Sequence, residues 1–106
     1  MEVKDVVLIV VTSIFPSEKG IEIQRKYTEI QEKFPLPPFI KQKQMDLRWI
    51  KEGMKGVAVY KVEKGKIAEA LNFIYRYEVE YGGIEGYSND IETLLEIEDL
   101  TGVISL

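Results

Sequence analysis

The sequence contains no cysteine and no histidine. Their absence excludes disulfides, thiolate nucleophiles, Cys/His zinc sites, imidazole-ligated haem and any mechanism built on Ser-His-Asp or Cys-His. No loop of calcium-binding spacing occurs either, so neither a metal nor a cofactor is expected. No apolar run approaches the roughly 20 residues that span a bilayer, which predicts no membrane partner. Val6–Val11 is the best candidate for a leader segment, but Glu2 and Asp5 precede it and no small-residue cleavage site follows. It reads as a buried strand, and the expected compartment is the cytoplasm. Missing cysteine with abundant Lys and Glu also fits a thermophilic protein.

Positive charge is absent from one end. Arg76 is the last basic residue, and the thirty positions after it hold eight carboxylates. The first 76 residues hold all fourteen basic groups against ten acids, so the two parts carry about +4 and −8. Such segregation in one small domain predicts that the acidic end meets a basic surface, its own or a copy's.

What is present describes a folded α+β chain: 106 residues, 45% apolar and 30% charged, enough for one domain and one core over residues 1–106. Val3–Phe15 is apolar at both parities, as a strand covered on both faces would be. Ser17 is placed to cap a helix over Glu18–Phe34, with Ile23, Tyr27, Ile30 and Phe34 on one stripe. Pro35-Leu36-Pro37-Pro38 ends it. Residues 39–50 read as a second strand, with Gln42, Gln44, Asp46 and Arg48 on one parity and Phe39, Lys41, Lys43, Met45, Leu47 and Trp49 on the other. Lys51–Lys55 is a turn, and Gly56–Val62 a third, mostly apolar strand. A second helix is expected over Lys64–Tyr81, its inner line Ile67, Ala70, Leu71, Ile74 and then Glu78 or Tyr81, stopped by Gly82-Gly83. Tyr87–Ile97 alternates as a fourth strand, and Asp99–Leu106 closes the chain with a short turn or helix.

The order β-α-β-β-α-β predicts a ferredoxin-like sandwich: an antiparallel sheet of order 4-1-3-2 with both helices on one face. That order puts the two continuously apolar strands at the centre and the two alternating strands at the edges. The helices then leave one apolar face of the central strands uncovered, more surface than a soluble monomer usually exposes. In this, residues 3–97 resemble the dimeric α+β barrels, in which two such sheets close face to face. The resemblance implies a homodimer in which strand two of one subunit approaches strand four of the other. Lys41, Lys43 and Arg48 would then meet Glu92 and Glu96. The competing reading is that both strands wear solvated charges as edge protection.

Candidate chemistry is sparse. The four polar groups Gln42, Gln44, Asp46 and Arg48 would orient a small ligand if their face is enclosed, with Arg48 holding a carboxylate or phosphate; an edge strand showing its polar side to water is the plainer reading. Tyr60, and Tyr77 beside Tyr75, Tyr81 and Tyr87, offer aromatic walls, although rings at helical spacing are more often core. Lys55-Gly56-Val57-Ala58 sits where RNA-recognition domains carry their strand-three motif. The base-stacking positions hold valines and the net charge is −4, so no nucleic-acid partner is expected. Gly82-Gly83-Ile84-Glu85-Gly86 follows a helix instead of preceding one and reads as a turn, and carboxylates such as Glu92, Glu96, Glu98 and Asp99 are ordinarily solvated. The expected function is a small homodimeric binding or accessory protein that holds a small molecule. The alternatives are a cofactor-independent enzyme of the monooxygenase or isomerase kind, acting through Tyr, Asp or Arg, and a purely structural module.

Overall fold

A computed structural model of the chain describes residues 6–94. Four strands, β1 (Val6–Phe15), β2 (Ile40–Ile50), β3 (Gly53–Glu63) and β4 (Ser88–Leu94), form one antiparallel sheet of order β2-β3-β1-β4. Helix α1 (Gly20–Lys33) joins β1 to β2, and α2 (Ile67–Val79) joins β3 to β4. Element order and strand order agree with the sequence reading, edge strands included. Expected strand residues Val3–Asp5 and Leu95–Ile97, the closing segment Asp99–Leu106, and Glu96 and Glu98 lie outside the described residues.

Three local boundaries differ. Ser17 caps no helix; Ser17–Lys19 forms a 3-10 turn, closed by the Lys19 amide on the Pro16 carbonyl at 2.9 Å, which runs directly into α1. Lys64–Lys66 makes a similar turn before α2. β3 begins at Gly53, so Lys51-Glu52 alone connects the hairpin. Gly53 has φ +136°, and a Cβ there would lie 2.5 Å from the Phe15 carbonyl oxygen. Only glycine lets the hairpin close this tightly against the end of β1.

Alternation sends Val7, Ile9, Val11 and Phe15 of β1 and Ala58, Tyr60 and Val62 of β3 toward the helices, where all are buried. Ala70 and Ile74 of α2 pack on this layer, with Ile40 of β2. A second cluster joins Ile30 of α1 to Tyr77, Tyr81 and Ile84, with Phe34 and Tyr87 against it. Both helices therefore cover the same face. The other face carries Leu8, Val10 and Ile14 of β1 and Val57 and Val59 of β3, none of them fully buried.

Strand β2 does not keep one parity. Gln42 pairs with Tyr60 but Gln44 pairs with Val59, so Lys43 is the extra residue of a β-bulge. The bulge reverses the faces. Ile40 and Gln42 point toward the helices, and so do Met45, Leu47 and Trp49, which pair with Ala58, Gly56 and Met54. Gln44, Asp46 and Arg48 point to the uncovered face. The expectation of four polar groups on one face is thereby corrected, and Lys41 separates from Met45, Leu47 and Trp49 for the same reason.

Candidate functional site

The two clusters do not close on each other. Between them lies a cavity of about 360 Å³ on the helix side of the sheet, at the small end of the range for ligand pockets. Its floor is Val11, Ser13 and Phe15 of β1 with Gly56, Ala58 and Tyr60 of β3. Residues Tyr77 and Glu78 of α2, with Tyr81 and Tyr87 beyond it, wall one side; Ile23 and Tyr27 of α1 wall the other. The exposed lining residues Gln24, Met45 and Leu47 place the mouth between α1 and edge strand β2. Small residues make the space. A Cβ on Gly56 would come within 2.9 Å of Ser13 Oγ and 3.2 Å of Leu47 Cδ2, so a side chain there would crowd the floor.

Five of the six tyrosines line this cavity. Tyr81 and Tyr87 stack with centroids 4.9 Å apart, and Phe15 stacks on Tyr87 at 6.4 Å. The sixth, Tyr75, is 62% exposed on the far side of α2. The Tyr27 hydroxyl accepts hydrogen bonds from Gln31 Nε2 at 2.8 Å and Gln42 Nε2 at 3.5 Å, which ties α1 to β2 at the cavity's edge.

Glu78 is the charged residue of the lining and is only 9% exposed. The Tyr87 hydroxyl donates to Glu78 Oε1 at 2.5 Å, and Ser13 adds a hydroxyl hydrogen bond to Tyr87. Burial pushes the Glu78 carboxyl above its ordinary range, and the Tyr87 hydrogen bond opposes this in part. Burial, reinforced by the negative charge of Glu78, also raises Tyr60, Tyr81 and Tyr87, and burial with its neighbours raises Tyr77. These phenols are therefore hydrogen-bond donors at neutral pH and do not serve as phenolate bases.

Of the residues expected to bind a ligand, Tyr60 and Tyr77 line the cavity and Gln42 reaches its edge through Tyr27. Gln44, Asp46 and Arg48 lie on the opposite face, where Gln44 Nε2 donates to Asp46 Oδ2. Arg48 is thus not placed to hold an anion in the cavity. Glu78, Tyr81, Tyr87 and Tyr27 complete the site. The signal for Glu78 was a carboxylate on the apolar inner line of a helix, one turn beyond Ile74. Among the described residues no three carboxylates converge as metal ligands, and no helix is long and apolar enough to cross a membrane.

The expected interface residues Lys41, Arg48 and Glu92 all lie on the uncovered face, and Lys43 is the bulge. Lys41 stands directly opposite Lys61, and Arg48 opposite Lys55. This makes a basic stripe along β2 and β3. Asp90 and Glu92 of β4 make an acidic stripe at the other edge, and Leu8, Val10, Val57 and Val59 lie between.

Comparison with known proteins adds the fold class alone. No family model matches the chain, and no curated protein matches it. Among solved structures it is similar to "De novo designed protein Foldit4", with a TM-score of 0.57 and 11% identity over 86% of this chain and 97% of that one. That likeness supports an α+β architecture with a four-stranded antiparallel sheet and two helices.

Proposed function

We propose that this chain is a small homodimeric binding protein, its sheets paired face to face in the manner of the dimeric α+β barrels, with one small molecule held in the helix-side cavity of each subunit. The observation that carries the reading is the cavity itself. A domain of this size ordinarily closes its core, because each unfilled space forfeits contact energy. Here a tyrosine-lined space with a buried carboxylate and an accessible mouth persists between two well-packed clusters. The half-covered apolar centre of the other sheet face supports the dimer, since a second sheet about 10 Å away would cover it.

A cofactor-independent enzyme is the second reading, favoured by Glu78. A carboxyl held above its usual range inside a cavity is suited to exchanging a proton with a bound substrate. Asp46 and Arg48, on the far face, take no part in such chemistry.

Native mass spectrometry of gently purified protein tests the proposal. A dimer that carries mass absent from the denatured chain is the expected result. A bare monomer at micromolar concentration argues against both halves of it, and a bare dimer removes the ligand but keeps the assembly.

A further inference from the structure

The chemistry of the cavity restricts what it can hold. Resting on the reading of the cavity as a ligand site, we infer that its ligand is an organic cation: an ammonium or related nitrogen cation on an apolar body, with the charged head at Glu78 and the body toward Met45 and Leu47.

Charge is the first argument. Among the described residues, the lining contains one carboxylate and no Lys or Arg. A carboxylate or phosphate ligand would approach Glu78 with no counter-charge, whereas a cation would find one already desolvated. Hydrogen-bonding capacity is the second. An ionised carboxylate accepts up to about four hydrogen bonds, and among the described residues one side-chain donor reaches Glu78, from Tyr87. Capacity is left for an N–H donor from the cavity. The third argument is the wall: tyrosine rings attract cations to their faces, and neutral phenols supply further acceptor oxygens. Burial of Glu78 alone raises the cost of its charged form. A bound cation offsets that cost and a neutral ligand does not. Finally, Met45 and Leu47 line the β2 side of the mouth, so the part of the ligand nearest solvent has hydrocarbon to lie on.

Three soluble probes of matched size separate the possibilities: 3-phenylpropylammonium, 3-phenylpropanol and 3-phenylpropanoate, titrated into the full chain by two-dimensional amide NMR. The cation is expected to bind about tenfold tighter than the alcohol, a difference of one charge-assisted contact, with the carboxylate weakest. Glu78→Gln keeps an acceptor for Tyr87 and removes the charge; it should abolish the preference for the cation, read as the ratio of the cation's affinity to the alcohol's. Should the alcohol match the cation in the wild-type protein, the cation assignment is overturned while the ligand site stands. Should none of the three perturb cavity resonances, the ligand-site reading falls with it. The wild-type comparison stands even if the variant folds poorly.

Discussion

Glu78 is held where a protein built for stability alone would place an apolar side chain. Desolvation of its charged form favours the protonated carboxyl in the folded state, so its folded pKa lies above the ordinary value of 4.5. The unfolded chain therefore loses this proton first as pH rises. The folded protein loses stability from about the ordinary carboxyl value up to the raised folded value, and the penalty is constant above it. Below the ordinary value the penalty is absent. Glu78→Gln, which cannot ionise and still accepts from Tyr87, should be more stable than the wild type at pH 8. Near pH 4 its stability should match that of the wild type. Urea denaturation at the two pH values measures the difference. An equal effect at both would mean that Glu78 titrates normally, and the desolvation penalty assigned to it would be wrong. A residue whose removal is stabilising is one retained for something other than folding.

At the scale of elements, the informative feature is the bulge at Lys43. The sheet's order and its edge and centre strands were legible because β1 and β3 are apolar at both parities while β4 alternates cleanly. The faces of strand β2 do not follow from period-two alternation, which assumes an unbroken ladder, because the register shifts between Gln42 and Gln44. The signal was in the residues: Ile40 is buried at even parity, yet the apolar run Met45, Leu47 and Trp49 continues at odd parity. A switch of that kind within one strand requires an extra residue. Cavity formation had no such signal, since it depends on how far apart α1 and α2 settle over Gly56 and Ala58, and periodicity does not encode that. Deleting Lys43 tests the bulge. Gln42 would then be followed directly by Gln44, and their partners Tyr60 and Val59 are already consecutive, so residues 40–42 and 44–50 keep their partners and faces. Both the deletion and Lys43→Ala should therefore cost little in chemical denaturation, about 1 kcal/mol or less. A loss of roughly 3 kcal/mol or more on deletion is what turning Ile40 outward and Lys41 into the core would cost. That result would mean that Lys43 is not the extra residue and that the bulge does not set the faces of β2.

For the molecule as a whole, the charge pattern selects one geometry for the proposed sheet-to-sheet dimer. Lys41 opposite Lys61 and Arg48 opposite Lys55 are like-charge pairs, which are unfavourable within one subunit. With the basic stripe at the β2 edge and the acidic stripe at the β4 edge, a two-fold axis parallel to the strands lays each stripe over its opposite. A two-fold perpendicular to the strands within the interface would lay basic on basic. The apolar centre would then supply most of the association energy, and the charges would select the axis, at about 0–1 kcal/mol per exposed pair. Glu92→Lys should weaken self-association about tenfold at low salt, and less at high salt, where the screening length falls to a few Å. Subunits carrying Glu92→Lys, mixed with subunits carrying Lys41→Glu and Lys61→Glu, should form heterodimers in preference to either homodimer, read by native mass spectrometry of differently labelled chains. Random mixing, with association constants that do not respond to salt, would eliminate charge matching and leave the pairing of the sheets to their apolar centres alone.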